Sequence, residues 1–466
     1  MTARRTGPAR GWSDNRDFVD FARRDPECLR VESFAPLLRE NPFVGFHHLQ
    51  PWPLFASPDD AAALAPIALG LDRIFKSVPE RFLGNDPALL SAFYGHPPDG
   101  LAFLVDEPDG IAEAVSRGDF LETEDGFRCL EWNSGGIIGG MGLQAVAPLY
   151  LACPPVARFL GEKGLRARHW NRLRALFRHM IRSTLRRGPA ASGGVLNAAV
   201  IIHPNAPAVT SYLRAAGWER EYPAALAAEA PGVDGQVFLC GYEDLTSRAD
   251  GLFLGEHRVH AIIGQHGGTE DLRGFRAFKG GTVNLFTGPL TNILSHKCNL
   301  ALVSEHARSD ALTREERDLV ERHLPWTRVV ADARAHYAGR HLRIPELLSR
   351  YRERLVLKKG RSASGMHVFI GREHTPAEWD ACVAGALAEG NWIAQERVES
   401  RPYAFLAGDG QVASHDVVWG LYACGELYGG TLLRLQPSSR GGVVNHARGA
   451  QASLLLEVEP ADAPQP

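Results

Sequence analysis

The spacing of apolar and polar positions divides the chain into stretches of different character. Over residues 1–100 apolar positions recur at helical spacing and are interrupted by proline, as at 59–78, which predicts short helices. Residues 101–133 predict strands, closed by a glycine-rich run at 134–142. An arginine-rich amphipathic stretch, 167–187, predicts a helix with a solvated charged face. Apolar runs at 195–203, 236–242, 257–264 and 282–286 then predict strands. They alternate with helical patterns at 208–217 and 291–308, which implies a parallel sheet of Rossmann-like type. No dinucleotide-binding glycine fingerprint follows the first of these strands. Helices are predicted at 313–323, stopped by Pro325, and at 344–354. Residues 355–457 read as mostly β with one helix at 375–389.

At 466 residues the chain is long enough for two to three domains. A formal charge of −3 argues against nucleic-acid binding as the main activity. No apolar run reaches membrane-spanning length, so no membrane partner is expected. The basic start, 1–12, lacks an apolar core and reads as a mobile arm, and 458–466 reads as a disordered tail. Seven cysteines form no C-x-x-C pair, which suggests reduced thiols and a cytoplasmic location, not a zinc or disulfide framework. Only six of 51 basic residues are lysines, so a lysine inside an apolar strand stands out.

The most informative stretch runs from Arg117 to Asn133. Asp125-Gly126 is a turn signal between two strand-like runs, and a three-residue loop with a left-handed Gly126 sets Asp119 opposite Glu131 and Arg117 opposite Asn133. Period two places all four on one face. A two-residue turn would put the two acids on opposite faces. Facing carboxylates destabilise a ladder unless a cation sits between them. Two carboxylates and an amide suit Mg²⁺ completed by phosphate oxygens, with Arg117 beside it to hold a transferring phosphoryl group. The same residues are compatible with an ordinary hairpin whose polar face meets solvent.

A second candidate is the strand 354–358, ending at Lys358, and the small-residue loop 360–365, which includes Ser362, Ser364 and Gly365. Backbone N–H groups of such a loop can approach phosphates, and Lys358 can reach phosphate oxygens as a point charge, with Lys359 pointing away. A plain hairpin with a flexible tip has the same pattern. In the next strand, 391–399, the backbone can pair with an adenine edge and Gln395, Glu396 or Glu399 can hold base or ribose. That pattern also fits a sheet strand with solvent-facing acids. Four histidines, His296, His367, His415 and His446, are general-base candidates by residue type alone.

Taken in order, these segments resemble the ATP-grasp superfamily in its circularly permuted form, as in the glutathionylspermidine synthase-like group. There an arginine, an aspartate two residues on and a Glu-x-Asn motif come early, matched by Arg117, Asp119, Glu131 and Asn133. A later S-x-K-x-x-L segment is matched by Ser295, Lys297 and Leu300. A V-L-K strand is matched by Val356, Leu357 and Lys358, and a Q-E-x-V hinge by Gln395, Glu396, Arg397 and Val398. The resemblance implies an α/β (α+β) fold: an N-terminal helical region at 1–100, the first part of a permuted ATP-grasp core at 101–190 carrying the metal-binding hairpin and a connecting helix, a Rossmann-like pre-ATP-grasp domain inserted at 191–310, and the nucleotide-binding second part of the core at 311–457.

It further implies ATP phosphates on Lys297 and Lys358, adenine at 395–398, Mg²⁺ on Asp119, Glu131 and Asn133, a phosphoryl contact from Arg117, and Arg434 on the acceptor side. The activity it implies is ATP-dependent ligation of a small-molecule or peptide carboxylate to an amine through an acyl phosphate. An ATP-dependent phosphotransferase and a non-catalytic nucleotide-binding partner protein are the alternatives. Ser134-Gly135-Gly136 stands where family members often carry acid and proline residues, and Lys359 stands where proline is common. Both departures bear on the substrates more than on ATP.

Overall fold

The computed structural model describes residues 13–39, 41–44, 46–95, 114–135, 138–187, 194–202, 207–264, 273–286, 293–362 and 366–463. The chain is a mixed α/β protein with three substantial sheets and two small ribbons. The largest sheet has nine strands among the described residues. Its main path runs His48–Leu49, Gln451–Pro460, Leu427–Pro437, Val412–Cys424, Val115–Thr123 and Gly126–Gly135. The long strands are antiparallel, whereas His48–Leu49 and Leu54–Ala56 pair in parallel with the last strand. That last strand runs to Pro460 and pairs with Leu165–Arg168, so the tail expected to be disordered from 458 is ordered through its first residues by a ladder.

A second sheet, Asn284–Leu285, Ala261–Gly264, Ala198–Ile201 and Val237–Cys240, is parallel throughout. Three of its strands are buried on both faces, as continuous apolar runs require, while the edge strand Val237–Cys240 is only partly buried. The run at 257–264 splits into two strands, His257–Val259 and Ala261–Gly264, which belong to different sheets. The arginine-rich helix covers Arg172–Arg187 and is preceded by a strand. Its charged face is not wholly solvated: Arg178 and Arg182 both pair with Glu229, and Arg172 is 2 % exposed.

The third sheet, Thr327–Val329, Trp392–Glu396, Leu355–Lys359 and Val368–Ile370, is antiparallel. Leu355, Leu357, Trp392 and Ala394 on one face pack with Leu347, Leu348, Trp379 and Val383 from the helices Ile344–Arg350 and Pro376–Glu389. A capping box, Thr375 with Glu378, starts the second of these helices. Strand alternation then turns Val356, Lys358 and Gln395 to the opposite face, towards the large sheet. All seven cysteines are free thiols. Among the described residues no single helix is long and apolar enough to cross a membrane.

Candidate functional site

A cleft of about 400 Å³ lies between the large sheet and the antiparallel sheet. Its apolar walls are Leu121, Leu130, Val418 and Val444 on one side and Val356, Val368, Ile370 and Val398 on the other. Val356 pairs with Ile370 and Lys358 with Val368, so one sheet face presents an apolar slot ending in an ammonium. Asp119, Glu131, Lys297, Lys358, Ser362, Gln395, Glu396, Arg397 and Arg434 also line the cleft.

The hairpin places its acids by an unexpected route. Thr123 pairs with Gly126 across a two-residue turn, a register that would separate the acids. A β-bulge at Leu130 inserts one extra residue and restores the rung, leaving Asp119 opposite Glu131 and Arg117 opposite Asn133. The three-residue loop expected from Asp125-Gly126 is therefore corrected, while the pairing it was invoked for is present.

Cations from this chain meet both acids. Arg117 grips Asp119 with Nε at 2.8 Å and Nη2 at 3.1 Å, and Arg434 Nη2 lies 2.7 Å from Asp119 Oδ2. Asn133 donates to the same carboxylate at 3.2 Å. Burial pushes the Asp119 carboxyl up, but the two guanidinium groups outweigh it and hold it below the usual carboxylate range. Glu131 pairs with Lys297 at 2.8 Å. Arg117 is buried and, like Asn133, does not line the cleft, so it acts through Asp119.

Lys358 differs from Lys297. Its ammonium donates to Gln395 Oε1 at 2.7 Å and to the carbonyl of the bulge residue Leu130 at 3.0 Å. Burial, with the Lys297 charge adding to it and Glu131 opposing, pushes Lys358 down to about 8. Lys359 points away and pairs with Glu389.

Three remote segments are tied together at Lys297. Ser295 Oγ accepts from the Ser134 N–H at 2.8 Å and donates to the Ser134 carbonyl at 3.0 Å. The Lys297 N–H donates to the Gly360 carbonyl at 2.9 Å, and its ammonium donates to the Ser362 carbonyl at 2.8 Å. A Cβ at Gly360 would sit 2.5 Å from His296 Cε1 and 2.7 Å from the Asn391 carbonyl, so only glycine allows this approach. Ser364 and Gly365 lie outside the described residues.

At the hinge, the N–H groups of Glu396 and Arg397 are taken by the carbonyls of Trp326 and Arg354. Glu396 Oε1 accepts from Tyr337 and Arg354, and Gln395 holds Lys358 and Thr327. These side chains brace the strand. Val444 and Asn445, which with the segment ending at Arg434 resemble the closing strands of permuted ATP-grasp proteins, line the cleft. Arg372, Asp416, Ser438 and 441–443 line it too and carried no motif in the sequence, although the alternation Val368, Ile370 marks the apolar wall.

No protein-family model matches the chain, and no curated protein matches it.

Asp119 and Glu131 share one rung and both line the cleft. Their oxygens are of the type Mg²⁺ takes, but cations of the chain hold both, and among the described residues no group of three or more His, Cys, Asp or Glu is placed to hold a metal ion. Asn133, expected as a metal ligand, does not line the cleft; it supports Asp119 by donating to it through Nδ2.

Proposed function

We propose that the chain is an ATP-dependent carboxylate–amine ligase with a permuted ATP-grasp arrangement. The observation that carries this reading is the single cleft in which a facing acid pair meets two lysines from segments over 150 residues away, beside an apolar slot. Among the hinge amides, Val398 N–H has no partner among the described residues and is the donor left for a base edge. The slot between Val356, Ile370, Leu121 and Val418 suits a flat ring. Lys297 and Lys358 would face the phosphates, with Arg434 on the acceptor side.

Mg²⁺ held by Asp119 and Glu131 would neutralise phosphate charge. The protein's part is to orient the nucleotide and the carboxylate for in-line attack on the γ-phosphorus, because phosphoryl transfer needs little covalent help. The carboxylate oxygen bonds to phosphorus as ADP leaves. The amine then attacks the acyl carbon, phosphate leaves, and the amine loses a proton to give the amide.

A screen of ADP release against amino-acid and peptide carboxylates, each with a panel of amines, tests this reading. Release of ADP and phosphate should depend on both. Glu131→Gln and Lys358→Ala should each lower it at least about a hundredfold while the protein stays folded. Phosphate retained on the acid without any amine requirement would make the chain a phosphotransferase. Undiminished turnover in both variants would defeat the assignment.

A further inference from the structure

Next to the cleft-lining Arg434 and Asn445 a second group of charged and titratable side chains gathers outside the cleft lining. The turn at Gly139 and Gly140 lies against Tyr422 and Leu432. Arg172 reaches over the Tyr422 ring, 5.5 Å from its centroid, and donates to the carbonyls of Gly140 and Thr431 at 3.2 and 2.8 Å. Its Nη2 is buried without a hydrogen-bond partner, and no carboxylate among the described residues pairs with it. Arg434 shows the same deficit: Nη2 meets Asp119, but its buried Nε has no partner. Two buried guanidinium nitrogens left unsatisfied in one region are uncommon and costly.

Histidines complete the group. His48 pairs with Gln451, Leu49 with Ala452, and Ala452 with Arg434, so the registers set the 47–48 segment two strands from Arg434. The His446 ring, next to the cleft-lining Asn445, lies 5.4 Å from His47 and 6.1 Å from His48 between centroids. His47 Nε2 is 3.3 Å from the Tyr212 hydroxyl. Burial, with His446, Arg172 and His48 adding to it, pushes His47 down to about 4. Burial, His48 and Arg434 push His446 down as well. None of the groups acting on either histidine is a carboxylate.

Only Arg434 in this cluster meets an acid, through Nη2 to Asp119, while Arg172 has none among the described residues; arginine and histidine with spare buried donors are complementary to an anion. We propose that Arg172, Arg434, His47 and His446 form a subsite for a second carboxylate on the acid that the cleft activates, so that the substrate is a dicarboxylate. That this group belongs to the activated acid rests on the ligase reading; the anion subsite itself does not.

Isothermal titration of the full chain with succinate, glutarate, adipate and butyrate, with and without Mg²⁺ and a non-hydrolysable ATP analogue, tests the subsite. At least one dicarboxylate should bind roughly tenfold or more tightly than butyrate. His446→Asn and Arg172→Gln should each weaken that dicarboxylate about tenfold, as expected for a lost charge-assisted contact. The affinity of the analogue, titrated separately, should not change. His446 is exposed, so its variant decides the matter if Arg172→Gln fails to fold. Dicarboxylates no tighter than butyrate, or unchanged in His446→Asn, would overturn the subsite. An analogue that does not bind would instead sink the nucleotide reading, with the nucleotide-free titrations still deciding the anion site.

Discussion

At the scale of single residues, Lys358 sets the pH behaviour of the cleft. Among the described residues it has dipoles for partners, the Gln395 amide and the Leu130 carbonyl, and no carboxylate within pairing distance. With its folded value pushed down to about 8 from 10.5, it is charged below that pH and neutral above it. Affinity for an ATP analogue should hold steady to about pH 7 and fall above 8, because the neutral amine no longer attracts phosphate. Lys358→Arg keeps its charge and should flatten the fall; equal pH profiles by titration calorimetry would refute the role. Stability moves the other way. Between about pH 8 and 10.5 the unfolded chain still holds the proton that the folded chain has lost, so this residue's contribution to stability rises with pH. Thermal denaturation should therefore show wild type gaining on Lys358→Gln across that window. The residue was legible in the sequence as a rare lysine closing an apolar strand. The burial that perturbs it was not, because it comes from the hairpin on the other side of the cleft. Arg117 was legible as a type but not in its direction: its bidentate hold on Asp119, two residues on, turns it away from the cleft.

At the scale of elements, the hairpin shows how local pattern gives a pairing without its cause. Period two and the Asp125-Gly126 signal lead to the rung Asp119–Glu131 through a three-residue loop. The chain reaches the same rung with a shorter turn and a bulge, and the two differences cancel. A bulge leaves little periodic trace in the sequence, since it adds one residue without changing the residue types around it. Here it also directs the Leu130 carbonyl to Lys358. Deleting Leu130 should regularise the ladder, keep Asp119 opposite Glu131, and remove that carbonyl. The expected loss is about 1 kcal/mol of nucleotide affinity, five- to tenfold, with near-native circular dichroism. Unchanged affinity in the deletion variant would show that the bulge is only a way of restoring register. The tie among Ser134, Ser295, Lys297 and Gly360 was legible only in part. The lysine stood in a motif, but the close backbone approach at Gly360 depends on His296 and Asn391, which no local pattern connects.

At the scale of the whole molecule, the start and the end of the chain are one structure. The strand Gln451–Pro460 is paired on different sides by Leu427–Pro437, His48–Leu49, Leu54–Ala56 and Leu165–Arg168. Strands of two and three residues are too short to show a period, which is why residues 1–100 read as helical and separate. The alternating region at 195–286, by contrast, showed its parallel sheet plainly, because its apolar runs are continuous and the strands Ala198–Ile201 and Ala261–Gly264 are buried on both faces. Phe55 lies in one of the short strands. It is fully buried and meets Phe18 at 4.9 Å and Phe159 at 5.1 Å between ring centroids. Phe55→Ala removes a large apolar group from the joint between the two ends and should destabilise the protein by about 3–5 kcal/mol. Phe55 belongs to the large sheet, opposite Leu456, whereas Lys358 and Gln395 belong to the antiparallel sheet, and Phe55 does not line the cleft. Nucleotide affinity at a temperature where the variant is still folded should therefore stay within about twofold of wild type. If affinity instead falls in step with stability, the N-terminal segment is coupled to the cleft and not only to the strand it completes. Paired measurements of denaturant midpoint and analogue affinity on one preparation separate the two outcomes.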